Sequence, residues 1–262
     1  MLPSTAPEPY VRPDLYDLLF EGLDFDLGFY RELALQEGGG GEPGPVLDLA
    51  CGTGRVLLPL LEAGVDVEGV DLSRPMLERL REKARVRGLA PRVHQASMSA
   101  FELPRRFRVA MIPFNAFVHN LTDDDQLATL RRCREHLEPG GVLAFDFFSA
   151  TPAMLAAPAG ERVLEHEVAH PETGLPVRIW DARDLDPLTQ TQHSRIEIEE
   201  LGEGGGIAMT HRFETVVRWI YPAEAELLFR LAGFARWKLW GGFDRRPLAA
   251  DTAHVVAEAW RD

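Results

Sequence analysis

The chain has 262 residues, 45% of them hydrophobic and 26% charged, a composition that excludes a disordered or collagen-like chain and suits one α/β domain carrying an insertion. With 41 acidic residues against 28 basic ones the formal charge is −13, which repels phosphate backbones and argues against nucleic acid as a partner. Cys51 and Cys133 are the two cysteines, too few for a disulfide scaffold or a cysteine-based zinc site and in keeping with a reducing cytoplasm.

Residues 1–13 hold four prolines and read as an irregular arm. From Asp14 to Leu35, apolar residues at helical spacing (Leu15, Leu18, Leu19, then Leu27, Tyr30, Leu33) predict two short helices broken near Gly22. Gly38 to Gly41, with Pro43 and Pro45, forms a connector. Strand and helix then alternate. Val46 to Leu49 reads as a buried strand, Gly54 to Ala63 as a helix, and Val65 to Val70 as a second strand ending at Asp71. Ser73 is placed to cap a helix that carries five basic residues from Arg79 to Arg87 and stops at Gly88 and Pro91. Val93 to Ala96 and Val109 to Phe114 are further strands. Thr122 opens a helix through Leu137, and Val142 to Phe148 is a fifth strand. This spacing means βαβ units and a parallel sheet.

From Arg162 to Tyr221 the period changes to two, with turn signals at Pro171 to Gly174, Asp186-Pro187 and Gly202 to Gly206, predicting about four antiparallel strands. A helix over Pro222 to Ala232 and strands near Arg236 to Trp240 and His254 to Trp260 complete the chain. The expected fold is a Rossmann-like, mostly parallel seven-stranded α/β sheet with a small antiparallel insertion. Its parts would be an N-terminal lid (1–45), a cofactor-binding core (46–160), the insertion as substrate cap or dimer contact (161–221) and a completing segment (222–262). The N-terminus lacks a signal peptide's basic stretch and apolar core, and no run reaches the ~18 apolar residues of a membrane span, so a cytoplasmic protein is expected.

The segment VLDLACGTGR, residues 46–55, carries the most chemistry. A strand runs into a turn with Gly52 and Gly54, where the backbone can approach a ligand and the following helix offers free N–H groups. Asp71, 17 residues past Gly54 at the end of the next strand, is placed to accept the hydroxyls of an adenosine ribose. A dinucleotide fingerprint needs a third glycine where Leu57 stands, and Asp48 suits a cationic amino-acid end better than a pyrophosphate.

Asp48-x-Ala50-x-Gly52-x-Gly54, Gly69-Val70-Asp71-Leu72-Ser73, Met76-Leu77 and HLEPGGVLAFD at 136–146 resemble the class I S-adenosylmethionine-dependent methyltransferases over roughly residues 14–150. The insertion makes the layout similar to the small-molecule branch that includes glycine N-methyltransferase and sugar-amine N,N-dimethyltransferases. The resemblance implies S-adenosyl-L-methionine as cofactor, with Asp48, Ala50 and Leu72 among the residues that bind it, Gly52 and Gly54 at its methionine part, Asp71 at its ribose, Met76 on its adenine and Ser97-Met98 at the adenine edge. It implies in-line transfer of a methyl group to an amine or hydroxyl of a small-molecule acceptor. Where an aspartate is common in that family, this chain has Gln95-Ala96-Ser97, and no adenine-methylating N/D-P-P-Y/F segment stands at Pro113-Phe114-Asn115.

His119 is a candidate base, or merely opens the loop before Thr122. Asn115 would orient cofactor or substrate. Tyr16 is the preferred lid tyrosine over Tyr10 and Tyr30, and Asp146 binds substrate or anchors a loop. Arg178, His193 and Arg195 of the insertion either face a cavity or form a solvated face, and Trp237 and Trp240 read as core. No metal-ligand spacing is visible. Two other readings stay open: a non-catalytic cofactor-binding or assembly protein, and an NAD-dependent oxidoreductase. A homodimer is a further expectation.

Overall fold

The computed structural model describes residues 10–20, 22–36, 44–170 and 173–262. Most of the N-terminal arm, the Gly38 to Gly41 connector with Pro43, and Pro171 lie outside the described residues. Two short helices come first, α1 (Pro13–Phe20) and α2 (Leu27–Gln36). The alternating segment follows as β1 (Val46–Leu49), α3 (Leu57–Glu62), β2 (Val67–Asp71), α4 (Arg74–Val86), β3 (Arg92–Gln95), β4 (Phe107–Ile112), a 3₁₀ turn (Ala116–His119), α5 (Asp123–His136) and β5 (Leu137–Phe148). After α6 (Pro152–Ala156) come four long strands, β6 (Arg162–Ala169), β7 (Pro176–Asp186), β8 (Thr191–Leu201) and β9 (Ile207–Arg218). The chain ends with α7 (Pro222–Ala232), β10 (Arg236–Trp240) and β11 (His254–Trp260).

The main sheet has the order β10-β11-β5-β4-β1-β2-β3. β1 pairs in parallel with both β2 and β4, while β11 is antiparallel to β5 and β10. The chain therefore runs outward from β1 through β2 and β3, then returns to the other side of β1 as β4. That reversal opens a crevice at the carboxyl ends of β1 and β4, where open α/β sheets bind ligands. The second sheet is a four-stranded antiparallel meander, β6-β7-β8-β9.

Side-chain alternation along the parallel strands builds two apolar layers. Leu47, Leu49, Ala110, Ile112, Leu143 and Phe145 pack with Leu130 of α5 and Phe229 of α7 on one face. Val46, Val109, Met111 and Val142 pack with Tyr30, Leu57 and Leu80 on the other. Fully burying each large side chain contributes about 1.5–3 kcal/mol, so these layers carry most of the stability. Asp48 belongs by parity to the second layer, a carboxylate at an otherwise apolar position.

Several boundaries differ from the sequence reading: β2 begins at Val67 rather than Val65, β5 begins at Leu137 rather than Val142, and two further shifts have a physical reason in the backbone. The helix after the first turn begins at Leu57 rather than Gly54, because Gly54 has φ +89° and cannot be helical. A Cβ there would lie 2.8 Å from Leu58 Cγ and 3.0 Å from Leu80 Cγ, so this glycine lets the turn pack closely against α3 and α4. The fourth strand ends at Ile112, because Phe114 and Asn115 both take left-handed backbone conformations.

The N-terminal helices are tied across the crevice. Leu15 of α1 packs on Val177, Ile198 and Phe213 of the antiparallel sheet. On the other side of α1, the buried Asp17 accepts hydrogen bonds from Thr53 Oγ1 at 2.6 Å, Arg79 Nε at 2.8 Å and Lys83 Nζ at 3.1 Å. Between α1 and α2, Asp26 forms a two-pronged buried ion pair with Arg55, both contacts at 2.6 Å. The N-terminal segment thus touches the first turn, α4 and the inserted sheet.

Candidate active site

A cavity of about 960 Å³ lies beneath the N-terminal segment, at the upper end of the roughly 300–1,000 Å³ usual for one ligand. Its floor is the crevice between β1 and β4, with Asp48, Ala50, Cys51 and Gly52 on the first turn and Asp71 and Leu72 after β2. Ala96, Ser97 and Met98 line a second side, and Pro113, Phe114, Ala116 and His119 a third. Tyr10 and Tyr16 form the roof. The outer end reaches Asp124 and Asp125 at the start of α5 and His193, Glu214, Thr215 and Val216 on the inserted sheet.

The first turn is built for a ligand. Ala50 and Gly52 have φ of +56° and +54°, a conformation that costs a non-glycine residue roughly 1–2 kcal/mol. The Asp71 carboxylate holds the turn from the next strand, accepting the Gly52 N–H at 2.8 Å and the Ser73 N–H at 2.7 Å. One N–H per oxygen leaves acceptor capacity on both, which suits a vicinal diol. Desolvation raises Asp71 to about 6, while those two N–H groups hold it down.

Asp48 is 1% exposed and, among the described residues, neither of its oxygens has a hydrogen-bond partner. Burial pushes its carboxyl up to about 8, opposed by the Arg55 charge. A buried acceptor without a donor is costly unless a ligand supplies one. An ammonium in the cavity would do so. The orphaned carboxylate, the diol-ready Asp71 and the glycine turn between them fit the ammonium and ribose ends of S-adenosylmethionine.

The opposite wall is set by Asp146 near the end of β5, fully buried. It accepts the N–H groups of Phe114 and Asn115 at 2.8 Å each, the Tyr30 hydroxyl at 2.7 Å, and contacts His254 Nε2 at 3.1 Å. Successive left-handed residues aim their N–H groups at one anion, so Asp146 anchors the loop and is absent from the cavity wall. That loop delivers His119, whose Nε2 lies 2.8 Å from the Tyr10 hydroxyl. Desolvation lowers His119 to about 4 and raises both Tyr10 and Tyr16 well above the ordinary phenol range. The pair is uncharged near neutral pH. The Tyr10 carbonyl accepts from Ser73 Oγ, which also caps α4 by accepting the Met76 N–H.

Of the residues expected at the site, Asp48, Ala50, Gly52, Asp71, Leu72, Ser97, Met98, His119 and Tyr16 share this wall. Gly54, Met76 and Asn115 do not. Gly54 is turned into the contact with Leu58, Met76 is buried in the first turn of α4, and Asn115 is held to Asp146 by its main chain. Tyr30 is core. On the insertion His193 lines the cavity, whereas Arg178 and Arg195 pair with Glu167 and Asp184 at the surface. Sequence reasoning missed Glu214, Thr215, Asp124 and Asp125 as lining residues. It passed over Tyr10 in favour of Tyr16, although only Tyr10 reaches His119. Nothing in local sequence marks Glu214, whose place depends on the register of β8 with β9.

Among the described residues no helix is long and apolar enough to cross a membrane. A methyltransferase domain model matches residues 46–141. The solved CcbJ methyltransferase from Streptomyces caelestis is 31% identical over 98% of both chains, with a TM-score of 0.75. The dTDP-3-amino-3,4,6-trideoxy-alpha-D-glucopyranose N,N-dimethyltransferase of Streptomyces venezuelae is 31% identical over 51% of this chain; the match spans about half of that relative, 55% of its length. The cypemycin N-terminal methyltransferase of a Streptomyces species is 28% identical over 80% of both chains.

Proposed function

The chain belongs to the class I S-adenosylmethionine-dependent methyltransferases, and we propose that it methylates an amine nitrogen of a small molecule. The observation that carries this reading is the single cavity that joins the Asp48–Gly52–Asp71 floor to the uncharged Tyr10–His119 pair. The relatives named as a dTDP-amino-sugar N,N-dimethyltransferase and as the cypemycin N-terminal methyltransferase support nitrogen over oxygen.

Bound S-adenosylmethionine supplies a methyl carbon already activated by positive sulfur. Asp48 would hold its ammonium, Asp71 its ribose, and Leu72, Ser97 and Met98 would border its base. The remaining work is alignment and exclusion of water, and such positioning contributes roughly 7–11 kcal/mol. Tyr10 and Tyr16 roof the cavity on a lid pinned by Asp17 and Asp26. A neutral amine carries its own lone pair and needs no base before attack, so His119 acts mainly by hydrogen bonding. With the ring uncharged down to about pH 4, the Tyr10–His119 pair accepts the acceptor's N–H and turns its lone pair toward the methyl. The proton released with the methylated amine leaves to solvent through the outer opening of the cavity, because a ring uncharged down to about pH 4 is too weak a base to keep it. The inserted sheet caps the acceptor.

The test is a panel of small amines and matched alcohols, scored by S-adenosylhomocysteine formation. Nitrogen acceptors are expected to be turned over, and His119→Gln to lower kcat by roughly 10–100-fold, the worth of about 1.5–3 kcal/mol of hydrogen bonding, with S-adenosylhomocysteine affinity unchanged. Turnover of alcohols alone would overturn the nitrogen assignment.

A further inference from the structure

The outer half of the cavity has a one-sided charge. Asp124 and Asp125 stand on one side of the opening and Glu214 on the other, with His193 as the facing imidazole, 3.0 Å from Glu214. Arg55 is the sole arginine or lysine among the described lining residues, and it sits at the inner end, locked to Asp26. Arg218, close behind, is engaged by Asp123, Gln126 and Glu224. The opening also contains the N-terminus of α5, ordinarily a good anion site. Here its first turn carries Asp123, Asp124 and Asp125, and the Thr122 hydroxyl accepts the Asp125 N–H. Those carboxylates cancel the positive end of the helix dipole. Among the described residues that line this opening there is no lysine or arginine to neutralise a phosphate.

We propose that the acceptor is a phosphate-free small amine, neutral or cationic where it meets the opening, and that a nucleoside-diphosphate-linked sugar is excluded. This rests on the amine-methyltransferase reading above and sets the chain apart from the dTDP-amino-sugar dimethyltransferase that it matches over half its length. A diphosphate seated between Asp124 and Glu214 would place like charges together, which disfavours it at an interface. A bare amine meets the same carboxylates favourably.

The test uses the full chain loaded with S-adenosylhomocysteine and dTDP alone as the probe, followed by calorimetry. The wild-type protein is expected to show no saturable binding up to about 1 mM, and the Asp124→Lys/Glu214→Lys double variant to gain it, tightening at least tenfold. Binding to the wild type in the micromolar range overturns the proposal, as does absence of binding in both proteins, which would mean that charge is not the barrier. In a second arm, one amino sugar is offered as its methyl glycoside and as its dTDP ester. Preference for the glycoside supports the proposal and preference for the ester overturns it. Should neither sugar be methylated, the dTDP arm still decides the charge argument, while the amine panel separately decides the activity.

Discussion

The Asp26–Arg55 pair offers a quantitative test of how the lid is held. Side-chain exposures are 0% and 7%, both nitrogen–oxygen contacts are 2.6 Å, and Arg55 also donates to the Leu23 carbonyl at 2.8 Å and stacks 4.7 Å above the Phe114 ring. Replacing Asp26 by alanine leaves a guanidinium desolvated with its main partner gone. Removing one member of such a pair costs about 3–5 kcal/mol, a drop in Tm of roughly 6–20 °C for a chain of this size. The double variant Asp26→Leu/Arg55→Met removes both charges together, and buried pairs replaced by apolar groups of similar volume are often near neutral. Urea titration and thermal melts of the two variants should therefore diverge, with the double variant recovering most of the loss. An Asp26→Ala cost below about 1 kcal/mol, or a double variant no better than the single one, would refute the reasoning.

Two further perturbations probe the floor of the site. Asp48 is raised from an ordinary 3.8 to about 8, so the folded ligand-free chain holds a proton that the unfolded chain has lost. Stability from this group is present at low pH, falls as pH rises from about 4 to 8, and is level above that window. Asp48→Asn should flatten that slope and gain on the wild type toward pH 8 in ligand-free melts, while weakening S-adenosylhomocysteine binding; parallel pH curves would contradict this. Gly54→Ala forces a Cβ onto φ +89° and to 2.8 Å from Leu58 Cγ, and should cost about 2–5 kcal/mol by urea unfolding. A loss under about 1 kcal/mol would show that the turn relaxes freely.

The parallel sheet was legible because β1, β4 and β5 are largely apolar and the helices between them carry their own start and stop signals, so local pattern and tertiary role agree. The Ser73 and Thr122 caps are two such signals that the structure bears out. The four inserted strands were legible from period two. Residues whose role depends on long-range geometry were less so. Asn115 looked polar and well placed after a strand, yet the Asp146 anchor 31 residues away takes its N–H and sets it off the wall. Tyr10 sits in a proline-rich arm without periodicity, and its contact with His119 spans 109 residues. Arg55 follows the glycine turn as if part of the cofactor motif, but its charge is spent on Asp26, which no spacing rule links to it.

The central claim is that Asp71 and the Gly52 turn hold an adenosine whose amino-acid end meets Asp48. Calorimetry with S-adenosylhomocysteine and NADH, on the native chain and on Asp71→Ala, tests it directly. The account predicts tight binding of S-adenosylhomocysteine alone, weakened about 100-fold in the variant by the loss of charge-assisted hydrogen bonds worth about 1.5–3 kcal/mol each. Equal affinity in both proteins, or binding of NADH in its place, would contradict it.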